Sequence, residues 1–93
     1  MQQIKNNPPT LLQFPCSFPI KIMGINDEHL LPEVTAIIAR HVSDFNPQSD
    51  IEIKISSKKN YVAITVTIMA ISKQQLDIIY SELHKHNLVK VIL

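Results

Sequence analysis

Three features of the sequence predict an α+β fold of the ferredoxin-like kind: four antiparallel strands with two helices on one face, in the order βαββαβ. Alternating apolar residues recur in four segments, amphipathic stretches with helical spacing separate the first from the second and the third from the fourth, and a polar turn joins the middle two. Ninety-three residues, 45% of them hydrophobic and 18% charged, supply one core and not two. The expected division is a flexible lead-in over residues 1–13 and a single ferredoxin-like domain over residues 14–93.

The lead-in is polar and holds Pro8-Pro9, a pair that resists helix. From Ser17 onward, Phe18, Ile20 and Ile22 alternate with Pro19, Lys21 and Met23, the period of a half-buried strand that Gly24 is expected to close. Asn26 and Asp27 offer oxygens to cap a helix, and Pro32 suits a first turn. Leu30, Val34, Ile37, Ile38, His41, Val42 and Phe45 fall three or four apart and form the buried stripe of that helix. Asn46-Pro47 ends it, because the residue before a proline is pushed out of the α region.

Ile51, Ile53 and Ile55 alternate with Glu52 and Lys54, which predicts a second strand with the isoleucines in the core. Ser56 to Asn60 reads as a hairpin turn, with Asn60 best suited to a left-handed conformation. The third and longest strand runs from Tyr61 to Ile71, with Val62, Ile64, Val66 and Ile68 on one face and Ala63, Thr65, Thr67 and Met69 on the other. Ser72 and Gln75 are spaced to cap a helix whose stripe is Leu76, Ile79, Tyr80 and Leu83, and His84, Lys85 and His86 suit the negative end of its dipole. Val89, Val91 and Leu93 alternate with Lys90 and Ile92 in a closing strand.

The pieces fit by length, since a helix of about 15 residues and a strand of about 7 both span about 22–23 Å. Two right-handed βαβ crossovers joined by a hairpin put both helices on one side. The expected core is Phe18, Ile20, Ile22, Val34, Ile37, Ile38, Ile53, Val66, Ile68, Leu76, Leu83 and Val91. Lys21, Met23, Glu52, Lys54, Thr65, Thr67, Met69, Lys90 and Ile92 are then expected on the open face of the sheet.

Nine Lys and Arg against eight Asp and Glu give a formal charge of +1, without the basic excess of a dedicated nucleic-acid binder. The open face supplies lysines but no aromatic platform, so RNA binding through those lysines and Lys58-Lys59 is the alternative reading. No apolar run approaches the roughly 20 residues of a membrane span. The first dozen residues hold no signal-peptide core and Cys16 is the single cysteine, so a cytoplasmic location is expected.

Cys16 has no histidine within ten residues to activate it and reads as a small packed side chain. His84 and His86, two apart on a helix, point about 200° from each other and make no ligand pair. His29 and His41 read as structural or surface residues. Asp27-Glu28 sits where a helix dipole favours negative charge, and one glycine, Gly24, is too few for a phosphate-cradling loop. No nucleophile, base and orienting group stand at workable spacing, so no catalytic residue, metal or cofactor is expected, and no enzyme activity.

What remains is binding. The turn Gly24, Ile25, Asn26 and Asp27 leads into a helix start and is the candidate ligand site. Lys21, Met23, Lys54, Met69, Lys90 and Ile92 form the candidate interaction face. A partly apolar face and two unprotected sheet edges predict association with a second copy or a partner enzyme.

The run Leu12-Gln13-Phe14-Pro15-Cys16-Ser17-Phe18-Pro19-Ile20-Lys21-Ile22-Met23-Gly24 resembles the opening motif of the YbeD-like family of small bacterial proteins of unknown function. Ser56-Ser57-Lys58-Lys59-Asn60-Tyr61 resembles that family's hairpin, which usually carries Gly where Lys59 stands, and Tyr80, Leu83, His86, Val89, Lys90 and Leu93 resemble its closing pattern. The resemblance spans roughly residues 11–93. It implies a fold similar to ACT-type regulatory domains, a regulatory or adaptor role through small-molecule or protein binding, and a link to lipoate metabolism. ACT domains carry Asp, Pro and Gly in the first turn, whereas this chain has Met23-Gly24-Ile25-Asn26-Asp27, so binding of a free amino acid is not implied.

Overall fold

The computed structural model describes residues 13–93; apart from Gln13, the expected lead-in over residues 1–13 lies outside them. The elements are β1 (Cys16–Ile25), α1 (Leu30–His41), α2 (Pro47–Asp50), β2 (Ile51–Ile55), β3 (Tyr61–Ala70), α3 (Lys73–Lys85) and β4 (Val89–Ile92). All strand pairs are antiparallel and the sheet order is β2-β3-β1-β4. This is the βαββαβ arrangement, with α2 a single added turn.

β1 and β3 form the spine, paired without interruption from Cys16 opposite Ala70 to Ile25 opposite Tyr61. Their inward residues Ile20, Ile22, Val62, Ile64, Val66, Ile68 and Ala70 join Leu30, Val34, Ile37, Ile38 and Val42 from α1 and its end, and Leu76, Ile79 and Leu83 from α3, in one core. α1 and α3 each bury one stripe at three-or-four spacing, so the core forms where two stripes meet one sheet face.

Local signals explain the element ends. Ser72 Oγ accepts from Gln75 N–H (3.0 Å) and caps α3. The expected reciprocal bond differs: the Gln75 amide oxygen accepts from Ile71 N–H (2.8 Å), and its nitrogen donates to His41 C=O (2.8 Å). That buried amide ties the end of α1 to the start of α3. α1 ends earlier than expected, at His41 with the extended Val42 as its cap, so Phe45 lies beyond the helix. Asn46-Pro47 starts α2 instead, where Asn46 Oδ1 accepts from Gln48 N–H (3.0 Å) and Pro47 sits in the first turn.

Four expectations need correction. Gly24 does not close the first strand; β1 continues to Ile25, and a β carbon at Gly24 would lie 2.6 Å from Leu88 O and 3.0 Å from Leu30. The left-handed residue of the hairpin is Lys59 (φ 65°), not Asn60, and this is where the resembling family carries glycine. Ile53 stands opposite Ile64 on the helix side, yet it is 46% exposed because β2 is the edge strand. Val91 is 44% exposed and pairs with Met23 on the open side, while Ile92 pairs with Ile22 and packs against the core. A register shift causes this inversion: Met23 faces Val91, but Gly24 faces Val89, so Lys90 is an extra residue and alternation reverses there.

Candidate functional site

The open face of the sheet is built by the outward residues of all four strands. One transverse row runs Lys54, Ala63, Met23 and Val91; the next runs Glu52, Thr65 and Lys21, to which Leu93 adds through main-chain bonds with Lys21 (2.8 and 3.4 Å). Tyr61 opposite Ile25 closes one end, and Met69 opposite Ser17 the other. Met23, Tyr61, Met69, Val91 and Leu93 are all exposed. A broad depression of about 830 Å³ covers the β2 side of this face, floored by Met23, Ala63 and Tyr61 and bordered by Lys21, Glu52 and Lys54. Neither lysine is in an ion pair among the described residues.

Of the expected interaction face, Lys21, Met23, Lys54 and Met69 are brought together there. Lys90 is exposed at the register shift, and Ile92 turns to the core instead. The sequence reading missed Tyr61, Val91 and Leu93. Tyr61 was legible, since it continues the parity of Ala63 and Thr65; Val91 was not, because the inserted residue reverses its face.

The turn Gly24, Ile25, Asn26 and Asp27 is consumed by internal bonds. Leu88 O accepts from Ile25 N–H (2.9 Å), and the space beside Gly24 is filled by Leu88 and Leu30. Asn26 N–H donates to Asn60 O (3.0 Å) and its side chain to Lys59 O (2.9 Å), which fastens the turn to the hairpin. Asp27 Oδ1 accepts from His29 N–H and meets His29 Nδ1, both at 2.8 Å, and these bonds hold its carboxyl below the usual range. In the first turn of α1, Leu30 and Glu33 donate to Asp27 O and His29 O, and Pro32 has no N–H. Only the Leu31 amide is left over, too little for an anion cradle.

Two further sets of titratable groups pair along the seam between α1 and α3. Glu82 bridges Arg40 (2.6 Å) and His41 (3.0 Å), and the Arg40 guanidinium, with His41, lowers its pKa. His86 Nε2 lies 3.3 Å from Glu33, while its Nδ1 accepts from Leu88 N–H (3.2 Å). Cys16 is half-buried at the start of β1, opposite Ala70 and packed against the core. Among the described residues no group of three His, Cys, Asp or Glu is placed to hold a metal, and no helix is long and apolar enough to cross a membrane.

Comparison with known proteins agrees with this architecture. The chain is 40% identical over 84 residues to a UPF0250 protein of Photorhabdus laumondii, covering 89% of this chain and 92% of that one. A UPF0250 protein of a Janthinobacterium species is 37% identical over 84 residues, covering 90% and 91%. The solved ACT domain from the GTP pyrophosphokinase of Chlorobium tepidum superposes with a TM-score of 0.61 at 19% identity, over 83% of this chain and 94% of that domain. A family model described as "Protein of unknown function (DUF493)" matches residues 9–93, and the chain belongs to that family of conserved bacterial proteins.

Proposed function

We propose that this protein is a non-catalytic regulatory or adaptor module, and that its open sheet face receives a partner protein such as an enzyme it regulates. One observation carries the reading: Met23, Tyr61, Val91 and Leu93 stand exposed side by side, while Asp27, His29, Arg40, His41 and Glu82 are engaged in bonds within the chain. Single exposed apolar residues are ordinary, but a contiguous set is usually covered in the working state. Lys21 and Lys54 border the apolar floor against one Glu52, which suits a partner with an apolar centre and an acidic rim. ACT domains, whose fold this chain shares, serve as regulatory binding units, and that likeness supports the role without naming a ligand. A link to lipoate metabolism rests on the family resemblance alone.

The test is retention from a soluble bacterial lysate by three immobilised forms: wild type, Met23→Asp on the open face and Ile78→Asp on the exposed side of α3. A partner held by wild type and Ile78→Asp and lost by Met23→Asp supports the reading. Equal retention by all three removes the open face from it. A chain that holds no protein but binds RNA with a steep salt dependence replaces it with the RNA reading, for which Tyr61 would be the one stacking aromatic on this face among the described residues.

A further inference from the structure

We propose that β2, the free edge of the sheet, is a self-association site at which two copies of this chain pair antiparallel about a two-fold axis through Ile53. The edge adjoins the open face and shares Glu52 and Lys54 with it, but the inference rests on the edge strand itself and not on the function proposed above.

Hydrogen-bond parity comes first. Ser56 N–H donates to Tyr61 O (2.9 Å), so Ser56 and Tyr61 form a bonded pair across the hairpin. Antiparallel ladders alternate, so Lys54 and Glu52 also direct their main-chain groups at β3, and Ile51, Ile53 and Ile55 direct theirs outward. The same three isoleucines carry their side chains on the helix side, opposite Val66, Ile64 and Val62. Ile53 and Ile55 remain 46% and 54% exposed there. One strand thus offers a row of free main-chain donors and acceptors together with uncovered apolar side chains.

Charge then fixes the partner. The segment Ile51-Glu52-Ile53-Lys54-Ile55 is complementary to itself when reversed. With Ile53 opposite the copy's Ile53, each Glu52 faces the copy's Lys54 on the open side, and each Ile51 faces the copy's Ile55 on the helix side. The isoleucine pairs are then the bonded ones and exchange roughly six main-chain hydrogen bonds. Sliding the copy by two residues keeps the faces but sets Glu52 against Glu52 or Lys54 against Lys54, and like charges directly opposite are destabilising. The other edge differs, for β4 is interrupted at Lys90 by the register shift, a device that blunts pairing. β2 has neither proline nor bulge. Pairing there would join the two four-stranded sheets into one and bring the exposed isoleucines of both copies together.

Sedimentation equilibrium of the full chain, up to about 1 mM, tests this. The mass is expected to rise with concentration from 10.6 kDa toward twice that value. Glu52→Lys alone and Lys54→Glu alone each set two like-charge pairs across the axis and weaken the dimer roughly tenfold. The double variant Glu52→Lys/Lys54→Glu restores the opposite-charge pairs and the wild-type affinity, which also shows that exchanging these exposed side chains leaves the chain folded. A monomer at every concentration overturns the proposal. So does a dimer indifferent to the single reversals, or a double variant no tighter than the single ones.

Discussion

The two middle strands and the two outer ones answer to different physics. β1 and β3 are ten residues each, paired along their whole length, and from Ile20 onward in β1 and throughout β3 their inward side chains are almost fully buried. β2 and β4 have five and four residues, leave Ile53 and Val91 half in water, and include the only register shift recorded among the described strand pairs. Ile64 and Ile53 are direct cross-strand partners on the same face, yet one is 0% and the other 46% exposed. The difference teaches that side-chain parity sets which face a residue takes, while position in the sheet sets whether anything covers it. Stability resides in the middle of the sheet, and the outer surfaces are left free for contact.

The sharpest way to break that comparison is to truncate both members of the pair. Ile64→Ala is expected to lower unfolding stability by about 4 kcal/mol, within the range for a fully buried isoleucine, and Ile53→Ala by less than about 1 kcal/mol. Urea denaturation at low protein concentration measures both, and equal losses would erase the distinction. Gly24→Ala follows, at about 2 kcal/mol, because its β carbon meets backbone at Leu88 O, which gives way only if the start of β4 moves. Amide exchange should show that loss concentrated in β4 while the β1–β3 ladder stays protected.

A smaller effect of opposite sign is expected at the hairpin. Lys59→Gly relieves the left-handed strain at φ 65° and should raise stability by about 0.5–1 kcal/mol, read as a shift in denaturation midpoint without a change in slope. The smallest effect is that of Glu82. Its carboxyl is held below the ordinary glutamate range by Arg40 and His41, so its contribution is present above that range and is lost as the pH falls through the lowered value. Acid titration of unfolding should therefore show a slightly gentler decline for Glu82→Gln than for wild type. The effect is small because the pair faces solvent.

How much of this was legible follows the same division. The strands β1 and β3, the stripes of α1 and α3 and the capping serine Ser72 could be read from spacing, because period and burial coincide there. Asn46-Pro47 suggests a helix stop from its sequence, but α1 ends already at His41, and the same residues, followed by Asp50, are a start signal for the one-turn α2. The exposure of Ile53 and the reversal of Val91 and Ile92 depend on strand order and on Leu88 packing against Gly24, which local pattern does not contain. At the open face, Lys21, Met23, Lys54 and Met69 were recoverable because they lie on or beside the spine. The turn from Gly24 to Asp27 looked like a ligand cradle because the sequence does not display the hairpin and the Leu88 segment that close over it.

The claim that the open face is the working surface can be tested by watching its own side chains. The chain has three methionines, Met1, Met23 and Met69, and the last two stand on that face, so methyl labelling of methionine gives a spectrum simple enough to assign by substitution. Titration with the partner fraction retained by wild type and not by Met23→Asp should shift or broaden the Met23 and Met69 signals, while amides along the exposed side of α3, around Ile78, stay in place. Unmoved Met23 and Met69 signals, with the changes gathered on the helices instead, would contradict the account.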